Sequence, residues 1–115
     1  MIKLEEEVQL FLDRFFPKFD IWGILYINRD KNIEALKFLG ITSSMRDEVI
    51  RSLDANDYVE TIQSLMLQSD DDLWVFGKDY DGTELYIKIA MGLPDDKTIC
   101  ISFHLAEHPI KYAFK

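Results

Sequence analysis

Two apolar stretches near the end of the chain, residues 84–89 and 99–104, carry polar side chains at alternate positions: Tyr86 and Lys88 on the first, Ser102 and His104 on the second. A period of two marks a β-strand, whose successive side chains point to opposite faces. On that reading Leu85, Ile87, Ile89 and Met91 share one face, with Tyr86 and Lys88 on the other. Likewise Ile99, Ile101 and Phe103 share a face, with Cys100, Ser102 and His104 opposite. Pairing the strands antiparallel across a turn at residues 92–96 buries the apolar side. A phenol, an ammonium, a hydroxyl and an imidazole then gather on the opposite face.

Those groups suit the cleavage of an RNA phosphodiester without a metal. That reaction needs the 2′-hydroxyl deprotonated, the charge on the phosphorane stabilised and the leaving 5′-oxygen protonated. An imidazole titrates near neutrality and can act as acid or base. Tyr86 can donate or relay a proton, and Lys88 can neutralise phosphate charge. Side chains two apart on a strand lie ~7 Å from each other and adjacent strands ~4.8 Å apart, so all of them can reach one phosphate. Lys78 on the preceding strand, and Arg29 and Lys31 after the first strand, offer further phosphate contacts. Each residue taken singly also fits an ordinary solvated strand face; their juxtaposition carries the reading.

Other chemistries fit less well. Cys100, His104 and His108 have tempting spacing, but Cys100 and His104 stand ~13 Å apart along an extended strand, whereas zinc ligands lie within ~2.0–2.3 Å of one ion. The acidic turn at residues 69–72 lacks the glycine and terminal glutamate of a calcium loop. Ser43 and Ser44 read as helix caps, and five glycines form no phosphate cradle. No metal or cofactor is expected.

The site depends on its supporting elements. Leu4, Val8, Leu12 and Phe15 recur at helical spacing and predict a helix over residues 3–16, stopped by Pro17. Residues 19–27 are β-rich and read as a buried strand. A helix over residues 31–39 ends at Gly40, and another runs from caps at Thr42, Ser43 and Ser44 to about Leu53. Residues 58–67 are ambiguous between helix and loop. A β-meander follows: strand 73–78, an Asp-Gly hairpin turn at residues 79–82, strand 84–91, a turn, and strand 98–104.

With 115 residues and 48% hydrophobic content, the chain is expected to form one domain over residues 1–115 with a real core. No apolar run approaches the ~20 residues that span a bilayer, and the acidic start lacks the pattern of a signal peptide. A lone cysteine gives no disulfide framework. The expectation is a soluble cytoplasmic protein that engages neither membrane nor DNA directly. The net charge of −8 sits uneasily with nucleic-acid binding. It is unevenly placed: residues 1–73 carry 8 Lys/Arg against 15 Asp/Glu, residues 74–115 carry 5 against 6.

The series Trp22-Gly23-Ile24-Leu25, Arg29, Lys31-Asn32, Ala35-Leu36, Arg46, Asp57-Tyr58, Trp74 to Lys78, Tyr86-Ile87-Lys88 and Cys100 to His104 resembles the MqsR-like toxins of type II toxin–antitoxin systems. The similarity continues through Ala106-Glu107-His108-Pro109 to Lys115 and fits a branch whose final strand ends Ser-Phe-His. The resemblance implies an α+β, RelE-like fold: a twisted antiparallel sheet with the N-terminal and intervening helices on one face. It also implies mRNA cleavage, with or without the ribosome, and neutralisation by a cognate antitoxin, of helix-turn-helix type. The family's tyrosine falls on Tyr86 and its basic residue ending the last strand on His104. Its functional glutamine falls near Val75 or Phe76 and is absent, with His104 and Lys78 as substitutes. Two alternatives stay open: a non-catalytic module of the same fold that binds a protein or ribosomal partner, and an acidic inhibitor protein.

Overall fold

The computed structural model describes residues 1–63 and 71–115. Positions 64–67 of the stretch left between helix and loop, and positions 69–70 of the expected acidic turn, lie outside them. Helix α1 (Glu5–Trp22) places Glu5, Glu6 and Glu7 in its first turn, where carboxylates favour the positive end of the helix dipole. It buries Val8, Phe11, Leu12, Phe15 and Phe19 along one stripe. Pro17 does not stop it, contrary to expectation. Proline removes one backbone donor, but the turns beyond it are anchored from outside: Phe19 is buried in the core, and Arg51 pairs with Asp20 and lies 4.2 Å over the Phe19 ring. The expected strand at residues 19–27 therefore shrinks to β1 (Ile24–Tyr26).

Helix α2 (Asp30–Leu39) ends at Gly40 in the left-handed conformation, as expected. Helix α3 (Arg46–Arg51) starts after a turn at residues 42–45 rather than on a side-chain cap. The strands are β2 (Tyr58–Gln63), β3 (Asp72–Tyr80), β4 (Thr83–Ala90) and β5 (Thr98–Leu105), and they form one five-stranded sheet in the order β1-β5-β4-β3-β2. All neighbours are antiparallel except β1 and β5, which run parallel. Residues 58–63 of the ambiguous stretch are thus strand, as Val59, Thr61 and Ile62 favour. Asp81 and Gly82, both with positive φ, close the β3–β4 hairpin.

One face of the sheet carries Phe76, Leu85, Ile87, Ile89, Cys100 and Phe103, and α1 and α3 close over it to make the core. Phe11 stacks on Trp74 with centroids 4.3 Å apart. The chain is α+β with helices over one face of a mostly antiparallel sheet, and no helix among the described residues is long and apolar enough to cross a membrane. The other face stays open to the site.

Candidate functional site

Two β-bulges decide what the open face presents. In β5, Lys88 faces Ser102 while the next residue, Ile89, faces Cys100, so Ile101 is the extra residue. A bulge opposes two residues to one and re-aims the side chains beyond it. Strict alternation would put Cys100 beside Ser102 and His104. Instead Cys100 belongs to the core, with its Sγ on the Ser102 carbonyl at 3.4 Å. Ile101, expected in the core, is only half-buried. Ser102 and His104 stay on the open face, opposite Lys88 and Tyr86. In β2 the register passes from Tyr58↔Phe76 to Glu60↔Val75, so Val59 is the extra residue there and Glu60 turns to the open face.

The result is a cross-strand row of Glu60, Val75, Lys88 and Ser102, with Gly77, Tyr86 and His104 in the next row. Beyond β1, the outer edge of β5 has no strand partner among the described residues. Asn32 of α2, itself buried, supplies one: its Nδ2 donates to the carbonyls of Ile101 and Ile27, and its Oδ1 accepts from the Phe103 amide, each at 3.0 Å. A side-chain amide thus takes the part of a backbone peptide and staples the bulge.

The C-terminal segment forms the second wall. Glu84 accepts the Ile110 amide at 3.0 Å and the Tyr112 hydroxyl at 3.2 Å, and the Ala113 amide bonds the Tyr58 carbonyl. The Ile110 and Tyr112 side chains pack so close to β3 that a Cβ on Gly77 would lie 2.7 Å from Ile110 Cδ1 and 2.8 Å from the Tyr112 hydroxyl, so those side-chain ends would have to shift to admit one.

Between sheet and tail lies a cleft of about 460 Å³ lined by Arg29, Lys31, Tyr86, Lys88, Ser102 and His104, six of the seven residues expected from the sequence. Lys78 is the exception. It faces Leu85 on the core side, and its ammonium is held by Asp57 at 3.1 Å and the Ser52 carbonyl. The sequence reading took Lys78 for a phosphate contact because it counted the basic residue without the register. The cleft also holds Glu60, Glu107, His108 and Lys111, which that reading did not assign. For Glu60 the only available signal was the β-branched run around it; the tail residues show no local pattern that places them.

The tyrosine and histidine rings stack, with centroids 5.2 Å apart and planes 14° off parallel. His104 Nδ1–H donates to the Leu105 carbonyl at 2.9 Å, which leaves Nε2 as the nitrogen able to exchange a proton. Lys88 sits 5.6 Å over the Tyr86 ring. Burial and the neighbouring Arg29 push its ammonium pKa below the ordinary lysine value, against the pull of Glu60. Burial, then Glu60, raises the Tyr86 phenol, with Arg29 opposing. Arg29 Nη1 donates to Ser102 Oγ at 3.3 Å. Lys31 pairs with Glu107, whose carboxyl it holds below the usual range. Burial pushes the Cys100 thiol up to about 12, so it is no ready ligand or nucleophile. Cys100 and His104 occupy opposite faces, and no cluster of three His, Cys, Asp or Glu among the described residues could hold a metal. The arrangement offers a proton-exchanging imidazole, a phenol and cations over one solvent-filled cleft, the equipment of acid–base chemistry on an anion.

Comparison with curated proteins and with solved structures yields no match. A family model does match, over residues 21–105, from just before β1 to the end of β5, and the chain belongs to that family, the MqsR toxins, described as motility quorum-sensing regulator, toxin of MqsA.

Proposed function

We propose that this toxin is an endoribonuclease that cleaves mRNA by metal-independent acid–base catalysis in the cleft between β2–β5 and the C-terminal tail. The observation that carries the reading is the convergence of Tyr86, Lys88, Ser102, His104, Arg29 and Lys31 in one cleft. That cleft carries four Lys/Arg against two Asp/Glu, on a chain whose net charge is −8. Cations in a partly desolvated cleft attract a polyanion whatever the sign of the distant surface.

Lys88 and Arg29 bind the scissile phosphate and stabilise the added charge of the phosphorane. The 2′-oxygen attacks phosphorus, the bond to the 5′-oxygen breaks, and the products are a 2′,3′-cyclic phosphate and a free 5′-hydroxyl. His104 moves a proton through Nε2, while Tyr86 covers the imidazole face and donates a hydrogen bond from its hydroxyl to a phosphate oxygen. A toxin of this family pairs with an antitoxin; we assign this chain a cognate partner of helix-turn-helix type.

The test is induced expression of wild type beside His104→Ala, with purified protein incubated with RNA in excess EDTA. Growth arrest and cleavage by wild type alone support the reading. Wild type that neither arrests growth nor cuts RNA favours a second one, a non-catalytic binding module. Its supporting observation is Val75, fully buried where the resemblance leads one to look for a functional glutamine.

A further inference from the structure

We infer that Glu60 is the second acid–base group of the cleft: its carboxylate takes the 2′-hydroxyl proton while His104 gives a proton to the departing 5′-oxygen. The inference rests on the RNA-cleavage reading and completes it, since cleavage moves two protons at once in opposite directions and one imidazole cannot do both in the same step.

The placement of Glu60 is built, not incidental. Without the bulge at Val59 it would share the core face with Tyr58; with it, Glu60 faces Val75 in the row that leads to Lys88 and Ser102. Both sides of the bulge are pinned. The Thr61 amide and carbonyl pair with Met1, and the Tyr58 hydroxyl bonds Thr61 Oγ1 at 2.7 Å and accepts the Lys3 amide at 3.0 Å. Strands β2 and β5 stand three spacings apart, ~14 Å between backbones. A carboxylate reaching in from one side and an imidazole from the other leave room for a phosphodiester between them, with Lys88 on the floor. The charged and titratable groups that line the cleft with Glu60 are Lys88 and Tyr86 on β4, Arg29 and Lys31 at the start of α2, His104 on β5, and Glu107, His108 and Lys111 on the tail. Its field reaches both the Lys88 ammonium and the Tyr86 phenol. Among the described residues no ion pair holds its carboxylate.

The step balances. The 2′-O–H bond breaks and its proton passes to the Glu60 carboxylate; the 2′-oxygen–phosphorus bond forms as the phosphorus–5′-oxygen bond breaks; and that oxygen takes the Nε2 proton of imidazolium. The cyclic phosphate leaves with Glu60 protonated and His104 neutral, and exchange with water restores both.

The experiment measures kcat/KM against pH for wild type, Glu60→Gln and Glu60→Asp on an oligoribonucleotide in EDTA. Binding is measured in parallel with the same oligonucleotide carrying a 2′-deoxy group at the cleaved position. Glu60→Gln should cut about 10²–10⁴-fold more slowly and lose the acidic limb of the profile. It should bind the deoxy analogue as tightly as wild type or tighter, because a negative charge has gone. Glu60→Asp keeps the limb at a reduced rate. An unchanged acidic limb in Glu60→Gln, or cleavage as fast as wild type, overturns the inference while leaving RNA cleavage standing. Faster cleavage would make Glu60 an electrostatic brake. Wild type that cuts no RNA at any pH brings down the cleavage reading and this assignment together.

Discussion

At the residue scale the cleft combines two side chains whose environments differ in kind. His104 has its tautomer set by a backbone carbonyl and its face covered by Tyr86. Lys88 is a cation held where burial and Arg29 both disfavour its charge. Keeping a charged group in such a place opposes stability, a common feature of sites shaped for function. Replacing His104 by Ala removes a proton-transfer group from a half-buried position on the open face, so cleavage should fall by about 10²–10⁴-fold with little change in thermal unfolding. Tyr86→Phe keeps the stack and loses the hydroxyl. The rate should fall, because that hydroxyl donates in the reaction; cleavage as fast as wild type would remove Tyr86 from the chemistry. Growth arrest on induction, read beside melting temperature, separates these outcomes. Toxicity in both variants equal to wild type would sink the site.

At the scale of elements, the two bulges convert regular strands into a site, and they explain what could be read from the sequence and what could not. The β3–β4–β5 meander and the Asp81-Gly82 turn follow from alternation and turn chemistry, and so does the placement of Tyr86, Lys88, Ser102 and His104. Alternation assumes an unbroken register, however, so it misplaced the bulged Ile101 together with Ile99 and Cys100, which precede the bulge. It was blind to Glu60, whose orientation depends on a bulge that a single sequence does not announce. Pro17 and Lys78 failed for a related reason. Local rules described the residue, while partners distant in sequence, Arg51 for α1 and Asp57 for Lys78, decided the outcome.

Asn32 is the element-scale counterpart of His104, because it holds the β5 bulge through bonds to Ile101 and Phe103. Its loss leaves buried backbone groups without partners, so Asn32→Ala should destabilise the chain by roughly 1–3 kcal/mol for each such group. Cleavage should fall further than stability accounts for, as Ser102 and His104 lose their aim. Urea unfolding and a cleavage assay on the folded variant give the two numbers. The tail is a second such element. The Tyr112 phenol, desolvated and bonded to Glu84, has its pKa raised from 10.0 to about 12. A raised value means that the folded state favours the protonated phenol. Its stabilising contribution is therefore complete below pH 10 and disappears as pH rises towards 12. The melting-temperature gap between wild type and Tyr112→Phe should hold steady up to about pH 10 and close above it; a gap independent of pH would detach Tyr112 from the anchoring of the tail.

At the scale of the whole molecule the charge is segregated. The chain carries −8 overall, with Glu5, Glu6 and Glu7 at the start of α1, whose stripe packs on the face opposite the cleft, and the cleft gathers Arg29, Lys31, Lys88 and Lys111 against Glu60 and Glu107. An acidic exterior discourages loose association with polyanions in general, and a local cationic cleft keeps one strand of RNA in place. Lys31 is already paired with Glu107, which leaves Arg29, Lys88 and Lys111 as the cleft cations without an ion pair among the described residues. Each phosphate neutralised on a single strand releases about 0.7 counterion, so three contacts give a slope of about −2 in log affinity against log salt. Binding of a 2′-deoxy oligonucleotide across a salt series should show that shallow slope, and Lys111→Ala should flatten it by about 0.7 without abolishing cleavage. A slope of zero would mean that the cleft does not meet the phosphate backbone. A much steeper one would place the binding surface elsewhere on the molecule, beyond Arg29, Lys88 and Lys111.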